Sequence, residues 1–171
     1  KDYISQIAPK NYLEITTCIY GLYCENKKVL GDKNNYYINH LDELNVIVPN
    51  AKYIHLIRDG RDVACSYKKI NQLDPQLKYI PKVSSNIKEI ANEWNDNISK
   101  IENFLGTHNS ITVRYEDLIS NSKEILVEIC QFLNTSFEEE MLDFYLKSMN
   151  DEPISTLHWK SKTLETVDAS N

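Results

Sequence analysis

The sequence predicts an α/β fold in which helices flank a parallel sheet. Two short segments are almost uniformly apolar and β-branched, and they alternate with longer segments whose apolar residues recur every three or four positions. Both short segments end abruptly in charged or polar residues. Strands that alternate with amphipathic helices form parallel sheets joined by right-handed crossovers. We therefore expect one α/β domain over residues 1–171.

The first predicted elements are a helix, a strand and a second helix. The helix covers Tyr36–Val48, where apolar residues recur at helical spacing until Pro49 and Asn50 end it. Tyr53–Ile57 is apolar nearly throughout, which is typical of a parallel strand covered on both faces. The strand ends in the charged segment Arg58–Asp62, and Val63–Tyr67 can then open a second helix with an acidic residue in its first turn.

A longer helix and a second strand follow. Asn86–Leu105 is the longest periodic segment, and Gly106 ends it. Trp94 lies on the apolar stripe of this helix, so we expect it in the core. The second strand covers Ser110–Tyr115, and a helix spans about Ser122–Leu133.

The last predicted helix follows Asn134. Ser136 and Glu139 have the spacing of a capping box, and apolar residues continue at helical spacing as far as Met149. With this order of elements, both strands have their carboxyl ends at one edge of the sheet. Ligands bind at that edge in folds of this kind.

Composition excludes several functional classes. The chain has 42% hydrophobic and 26% charged residues, and 19 basic against 25 acidic side chains give a net charge of −6. The acidic balance argues against nucleic-acid binding, and no apolar run reaches the roughly 20 residues of a membrane-spanning helix. Four cysteines and four histidines form no metal-binding pattern. We expect reduced cysteines and a cytoplasmic protein without a metal.

Glycine is scarce in this chain. There are four glycines, and no two of them have the spacing of a phosphate-binding loop. A complete Walker or Rossmann fingerprint is therefore absent from these 171 residues.

Arg58 and Ser66 are the first candidates for a binding site. Arg58 directly follows the first strand, and Ser66 lies about two turns into the next helix. If the chain reverses between them, the guanidinium and the hydroxyl can reach one anion. The alternative is that Arg58 pairs with Asp59 or Asp62 and that Ser66 is a surface residue.

The segment Arg58–Tyr67, RDGRDVACSY, resembles the 3′-phosphate-binding segment of sulfotransferases that use 3′-phosphoadenosine 5′-phosphosulfate (PAPS). The spacing of eight residues between the arginine and Ser66 is that of the family. Two further segments agree in order. Gly31–Tyr37 resembles the family segment that carries a lysine near the transferred group, and Val113–Leu118 resembles the strand end whose tyrosine lies against the adenine.

The resemblance implies roles for four residues. Arg58 and Ser66 would hold the 3′-phosphate, and Tyr115 would lie on the adenine side. Lys33 would be the catalytic residue, near the transferred sulfuryl group or the leaving oxygen. PAPS would be the donor, and no metal would be needed because basic side chains and backbone amides can neutralise its charges.

The resemblance also implies a P-loop-NTPase-like parallel sheet, of which this chain would be the C-terminal two-thirds, incomplete at both ends. The family holds the 5′-phosphosulfate on a loop rich in basic and small residues, and nothing before Gly31 has this pattern. We therefore expect residues 1–171 alone to be inactive. The segment His158–Ser170 falls where the family has a loop over the nucleotide.

The implied activity is transfer of a sulfuryl group from PAPS to a hydroxyl or amine of a small-molecule, glycan or peptide acceptor. One alternative is a non-catalytic α/β nucleotide-binding or interaction module that has kept only the 3′-phosphate corner. Another is a nucleotide kinase of related fold. A kinase needs a glycine-rich loop with a lysine, which this chain lacks.

Several of these residues also have a purely structural explanation. Lys33 fits a solvated loop lysine, since lysine is mostly exposed in folded proteins. Tyr115 fits packing at a strand end. Glu116 and Asp117, which follow it, fit helix capping and solvation better than acid–base catalysis.

Overall fold

The computed structural model describes residues 10–23, 29–74, 76 and 80–143 of the 171-residue chain. Contacts divide the chain into two compact units, Lys1–Ala51 and Lys52–Asn171. A compact unit is a cluster of contacts, whereas a domain can fold on its own. One domain over residues 1–171 therefore stays a prediction. No helix among the described residues has both the length and the apolar character needed to cross a membrane.

The described part of the first unit is helical. Helix α1 spans Tyr12–Tyr23 and precedes the first element that the sequence predicted. A 3₁₀ turn follows at Asn35–Asn39, and α2 spans Leu41–Ile47. The side chain of Asn34 caps the 3₁₀ turn by accepting a hydrogen bond from the backbone N–H of Tyr36.

The predicted helix Tyr36–Val48 is two elements rather than one. His40 separates them, because its backbone angles, φ −141° and ψ 31°, lie outside the helical range. Its N–H donates to the Tyr37 carbonyl and closes the 3₁₀ turn, while its carbonyl accepts from the N–H of Leu44 and opens α2. Apolar spacing is helical on both sides of His40, so the break leaves no mark on the sequence pattern.

Two parallel strands form the sheet of the second unit. Strand β1 spans Tyr53–Ile57 and β2 spans Ser110–Arg114. Their register pairs the first residue of each strand, Tyr53 with Ser110, and the last residue of each, Ile57 with Arg114. The predicted α/β class with a parallel sheet is confirmed. Tyr115 is the first residue of the next helix rather than the last of the strand.

Four helices and a final turn complete the described part of this unit. They are α3 (Gly60–Ile70), α4 (Ile87–Leu105), α5 (Tyr115–Ser120), α6 (Ser122–Leu133) and a 3₁₀ turn at Glu139–Met141. The long helix α4 begins as predicted, because the side chain of Asn86 accepts a hydrogen bond from the N–H of Lys88. Helix α6 has its predicted bounds, and α5 is a short helix that the sequence did not predict.

The last predicted helix is only partly within the described residues. Its 3₁₀ turn begins after Glu138, which has no side-chain capping hydrogen bond. The predicted capping box at Ser136 is therefore wrong, because the turn starts later than that spacing requires. The continuation to Met149 lies outside the described residues, as does His158–Ser170.

The core lies where α4 and α6 meet the sheet. Helix α4 packs against β1, and α6 packs against β2. The ring of Tyr53 meets that of Phe104 edge-on, with 5.1 Å between the ring centroids. Lys52 Nζ donates to the Phe132 carbonyl over 2.5 Å and so connects the start of β1 to the end of α6. Within the part of the chain that the structure describes, the buried apolar residues are Ile90, Phe104, Leu105, Val113 and Cys130.

Strand β1 is covered on one face rather than on both. Side chains alternate along a strand, so His55 lies on one face and both Ile54 and Leu56 on the other. His55 is 7% exposed, whereas Ile54 is 43% and Leu56 is 51% exposed. The prediction that both faces are covered is therefore wrong for β1, because α4 packs on the face that carries Tyr53.

Candidate functional site

The two strands end at the same edge of the sheet, and polar segments follow both of them. Because the strands are parallel and in register, Ile57 lies beside Arg114. Arg58 directly follows β1, and Tyr115 directly follows β2. Two of the predicted binding residues therefore leave the sheet side by side.

Arg58 and Tyr115 are in contact. The guanidinium carbon of Arg58 lies 4.7 Å from the centroid of the Tyr115 ring, within the range of a cation–π interaction. Arg58 Nε also lies 4.0 Å from Asp62 Oδ2, so the ion pair weighed as an alternative is present at the edge of its distance range. The guanidinium makes both contacts at once, since the Tyr115 ring faces its central carbon and the Asp62 carboxylate lies beside Nε.

Helix α3 starts at this edge and carries Ser66. The Asp59 side chain caps the helix by accepting a hydrogen bond of 2.8 Å from the N–H of Arg61. Arg61 also donates from its guanidinium to the same carboxylate, and these hydrogen bonds lower the pKa of Asp59 to about 2. Ser66 is half-buried in the middle of the helix. Asp59 thus neutralises Arg61, and Arg58 stays the arginine that lies on the tyrosine ring.

The peptide that joins Arg58 to Asp59 is held from two sides. Trp94, on α4, donates its indole N–H to the Arg58 carbonyl over 3.1 Å. Glu116, on α5, accepts a hydrogen bond of 2.8 Å at Oε1 from the Asp59 N–H. This hydrogen bond is the main reason why the pKa of Glu116 is lowered, and Glu116 is therefore ionised at neutral pH.

The surroundings of Trp94 and Glu116 differ from those that the sequence predicts. Trp94 is half-buried at the site edge rather than fully buried in the core, and Glu116 is hydrogen-bonded to another loop rather than acting only as a capping or solvated residue. One signal was present in the sequence: an indole N–H on an apolar stripe needs an acceptor when it is covered. Nothing in one sequence shows which carbonyl that acceptor is.

Lys33 belongs to the first unit and is exposed. Its backbone N–H donates to Asp32 Oδ1 over 2.7 Å. The other oxygen of Asp32 accepts hydrogen bonds from the hydroxyls of Tyr20 on α1 and Tyr37 in the 3₁₀ turn. These bonds lower the pKa of Asp32 and raise the pKa of Tyr20. Asp32, the residue before Lys33, is thus hydrogen-bonded to one helical element that precedes it in the chain and to one that follows it.

No cluster of three or more His, Cys, Asp or Glu side chains suited to a metal ion occurs within residues 10–23, 29–74, 76 and 80–143. Beside the carboxylates of Asp59, Asp62 and Glu116, the described edge carries groups suited to an anion or a planar ring: the Arg58 guanidinium, the Ser66 hydroxyl and the Tyr115 ring. Such groups bind anions and planar rings.

Known proteins resemble this chain over most of its described length. Residues 11–139 match the profile of the Sulfotransferase family. Over 114 residues the chain is 28% identical to the 3-beta-hydroxysteroid sulfotransferase of Cavia porcellus, covering 63% of this chain and 40% of that protein. The chain therefore spans less than half the length of this curated relative.

A solved structure shares the fold. The sulfotransferase domain from the curacin biosynthetic pathway superposes with a TM-score of 0.56 at 23% sequence identity, covering 82% of this chain and 56% of that one. Identity at this level supports the fold alone. The family resemblance inferred from three ordered sequence segments is confirmed by the match over residues 11–139, and the chain belongs to the sulfotransferase family.

Proposed function

We propose that the protein is a sulfotransferase that moves a sulfuryl group from PAPS to an acceptor hydroxyl or amine. The observation that carries this proposal is the contact of Arg58 with Tyr115 at the shared carboxyl edge of two parallel strands. A cation lying on an aromatic ring there is suited to a ligand that joins a phosphate to a planar base. The family match supports the same chemistry.

Arg58 and Ser66 hold the 3′-phosphate in this proposal, and Tyr115 lies on the adenine side. Arg58 supplies a planar, permanently charged donor, and Ser66 supplies a hydroxyl from the helix that begins two residues after the arginine. PAPS carries a 3′-phosphate, which common adenine nucleotides such as adenosine 5′-phosphate lack. A site for this group therefore contributes to donor selectivity.

The transfer step needs little covalent chemistry from the protein. The acceptor oxygen or nitrogen forms a bond to sulfur, and the bond from sulfur to the bridging phosphate oxygen breaks, leaving its electron pair on that oxygen. The acceptor proton passes to solvent. The products are the sulfated acceptor and 3′-phosphoadenosine 5′-phosphate. By analogy with phosphoryl transfer, catalysis then consists of orientation and of stabilising charge on the leaving oxygen. We assign this charge stabilisation to Lys33, a cation in an anchored segment.

The acceptor is a small molecule, a glycan or a peptide. The Cavia porcellus relative is named for a hydroxysteroid, which favours a hydroxyl acceptor here. Because the chain spans 40% of that relative, residues 1–171 alone are not expected to turn over. The predicted cytoplasmic location agrees with the free thiols of Cys18, Cys65 and Cys130 among the described residues.

Isothermal titration calorimetry on the full-length protein tests the proposal. We expect 3′-phosphoadenosine 5′-phosphate to bind at least about 10-fold more tightly than adenosine 5′-phosphate, since a charged hydrogen bond contributes at least about 1.5 kcal/mol. Equal affinities would exclude the 3′-phosphate site. Nucleotide binding without sulfation of any hydroxyl or amine acceptor would instead favour a non-catalytic binding module.

A further inference from the structure

The carbonyl of Arg58 and the N–H of Asp59 belong to one peptide unit, and a different helix binds each of them. The carbonyl accepts from the Trp94 indole at 3.1 Å, and the N–H donates to Glu116 Oε1 at 2.8 Å. A peptide unit is planar, so binding both ends fixes the orientation of the plane. The backbone angles on either side of the plane are then restricted as well.

This restriction acts directly on Arg58. The peptide plane contains the Cα atom of Arg58, so its orientation restricts ψ of this residue; together with the strand peptide before it, this sets how the Cα–Cβ bond leaves the backbone after β1. A side chain as long as arginine loses considerable conformational entropy when it is held in one position. A backbone that is already fixed lowers the part of this cost that remains when a ligand binds.

Trp94 makes a second contact at the same corner. A Cβ atom placed on Gly60 would lie 3.1 Å from Cδ2 and 3.3 Å from Cε2 of the indole. The ring face therefore lies against the first residue of α3, while the ring N–H donates to the carbonyl of Arg58, two residues earlier. One side chain of α4 thus sets both the end of β1 and the start of α3.

Glu116 is an unusual neighbour for an anion site, because its negative charge repels a phosphate. Its Oε2 atom is buried and lies 3.5 Å from the Arg114 guanidinium, while Oε1 accepts from the Asp59 N–H. The charge is thus partly balanced by Arg114. Beside the remaining charge, Glu116 makes a geometric contribution, a hydrogen bond between the loop after β1 and the start of α5.

We propose that Trp94 and Glu116 are positioning residues that lock the peptide between Arg58 and Asp59 and so direct Arg58 toward the 3′-phosphate before the nucleotide binds. This inference rests on the proposed function. Neither residue needs to touch the nucleotide, because each acts on the backbone that carries the arginine. The expected consequence is a selective loss of preference for the 3′-phosphate rather than a general loss of nucleotide affinity.

The readout is the ratio of two dissociation constants, that of adenosine 5′-phosphate divided by that of 3′-phosphoadenosine 5′-phosphate. Partial unfolding of a variant lowers both affinities by the same factor, so it leaves the ratio unchanged. Misdirection of Arg58 weakens only the ligand that carries the 3′-phosphate. The ratio therefore separates a positioning role from a purely structural one.

Four variants of the full-length protein form the test. Trp94→Phe removes the indole N–H and keeps an aromatic ring, and Glu116→Ala removes the acceptor. We expect Trp94→Phe to lower the ratio roughly 5- to 10-fold relative to the wild type, the equivalent of one hydrogen bond. We expect Glu116→Ala to lower it by a similar factor relative to Glu116→Gln, since both variants remove the charge and only glutamine keeps the acceptor. Asp117→Ala removes the exposed neighbouring carboxylate and should leave the ratio unchanged.

Two results would overturn the inference. If Trp94→Phe lowers the melting temperature but keeps the wild-type ratio, and Glu116→Ala has the same ratio as Glu116→Gln, both residues are structural only. If the wild-type protein itself shows no preference for the 3′-phosphate, the proposed function fails and the inference fails with it.

A measurement on the unbound wild-type protein guards against variants that do not fold. In hydrogen exchange, we expect the Asp59 amide to be protected without nucleotide, because its hydrogen bond to Glu116 is already formed. Exchange at the rate of an open loop would show that the peptide is not locked before binding.

Discussion

Replacing Gly60 with alanine tests the packing at the site edge most simply. Gly60 has no positive φ, so its backbone accepts any L-residue without strain. The added methyl would lie 3.1 Å from Trp94 Cδ2, closer than the ordinary contact distance of about 3.5 Å or more between carbon atoms. Either the indole or the start of α3 must move by a few tenths of an ångström.

The magnitude follows from two opposing effects. Alanine gains at most about 1 kcal/mol over glycine from helix propensity, and less at the first position of a helix. Overpacking against a fixed ring costs about 1–3 kcal/mol, since the Trp94 indole is also held by its hydrogen bond to the Arg58 carbonyl. We therefore expect Gly60→Ala to lower the free energy of unfolding by about 1 kcal/mol.

Urea denaturation followed by circular dichroism provides the assay, with Gly21→Ala as the matched control. Gly21 lies in α1, and a Cβ atom there would meet nothing within 4 Å. Its replacement should raise the free energy of unfolding by about 0.5–1 kcal/mol. If Gly60→Ala stabilises the protein as much as Gly21→Ala does, the indole is not fixed against the start of α3.

Three other predictions test separate parts of the structure. Burial lowers the pKa of His55, so this histidine becomes protonated at a higher pH in the unfolded chain than in the folded protein. The free energy of unfolding should therefore fall by up to about 1 kcal/mol from pH 7.5 to pH 5.5. Urea titrations at both pH values should show this loss in the wild type and not in His55→Leu. Asn86→Ala, which removes the cap of α4, should cost about 1 kcal/mol in the same assay, and Asn86→Asp should recover it. In the full-length protein, Lys33→Ala should lower kcat for sulfuryl transfer at least about 100-fold, measured as formation of 3′-phosphoadenosine 5′-phosphate. Lys10→Ala should leave this kcat unchanged; equal losses in the two variants would show that Lys33 has no special role in the transfer step.

The sequence was most informative about elements whose local pattern matches their environment. The bounds of β1 and α6 agree with the predicted ones, because β-branched runs and helical spacing are local properties. The break at His40 was missed because one backbone conformation interrupts an otherwise helical spacing. The exposed face of β1 was missed because an apolar strand looks the same whether one face is covered or both are.

The candidate site, too, was predictable only in part from the sequence. Arg58 and Tyr115 could be placed at one edge because parallel strands bring their carboxyl ends together. The hydrogen bonds of Trp94 and Glu116 to a single peptide could not be foreseen, since the bonded residues are far apart in the sequence. Trp94 is 36 positions from Arg58, and Glu116 is 57 positions from Asp59. Such contacts depend on how helices pack, which no local pattern specifies.

The proposed function depends above all on recognition of the 3′-phosphate by Arg58, and a thermodynamic cycle measures this recognition. Calorimetry on the full-length protein would measure 3′-phosphoadenosine 5′-phosphate and adenosine 5′-phosphate against the wild type, Arg58→Ala and Arg61→Ala. Arg61 is the matched control because its side chain is 91% exposed and paired with Asp59. We predict that Arg58→Ala weakens the 3′-phosphorylated nucleotide by at least about 30-fold, roughly 2 kcal/mol, and leaves adenosine 5′-phosphate nearly unchanged. An equal loss of affinity for both nucleotides would contradict the claim.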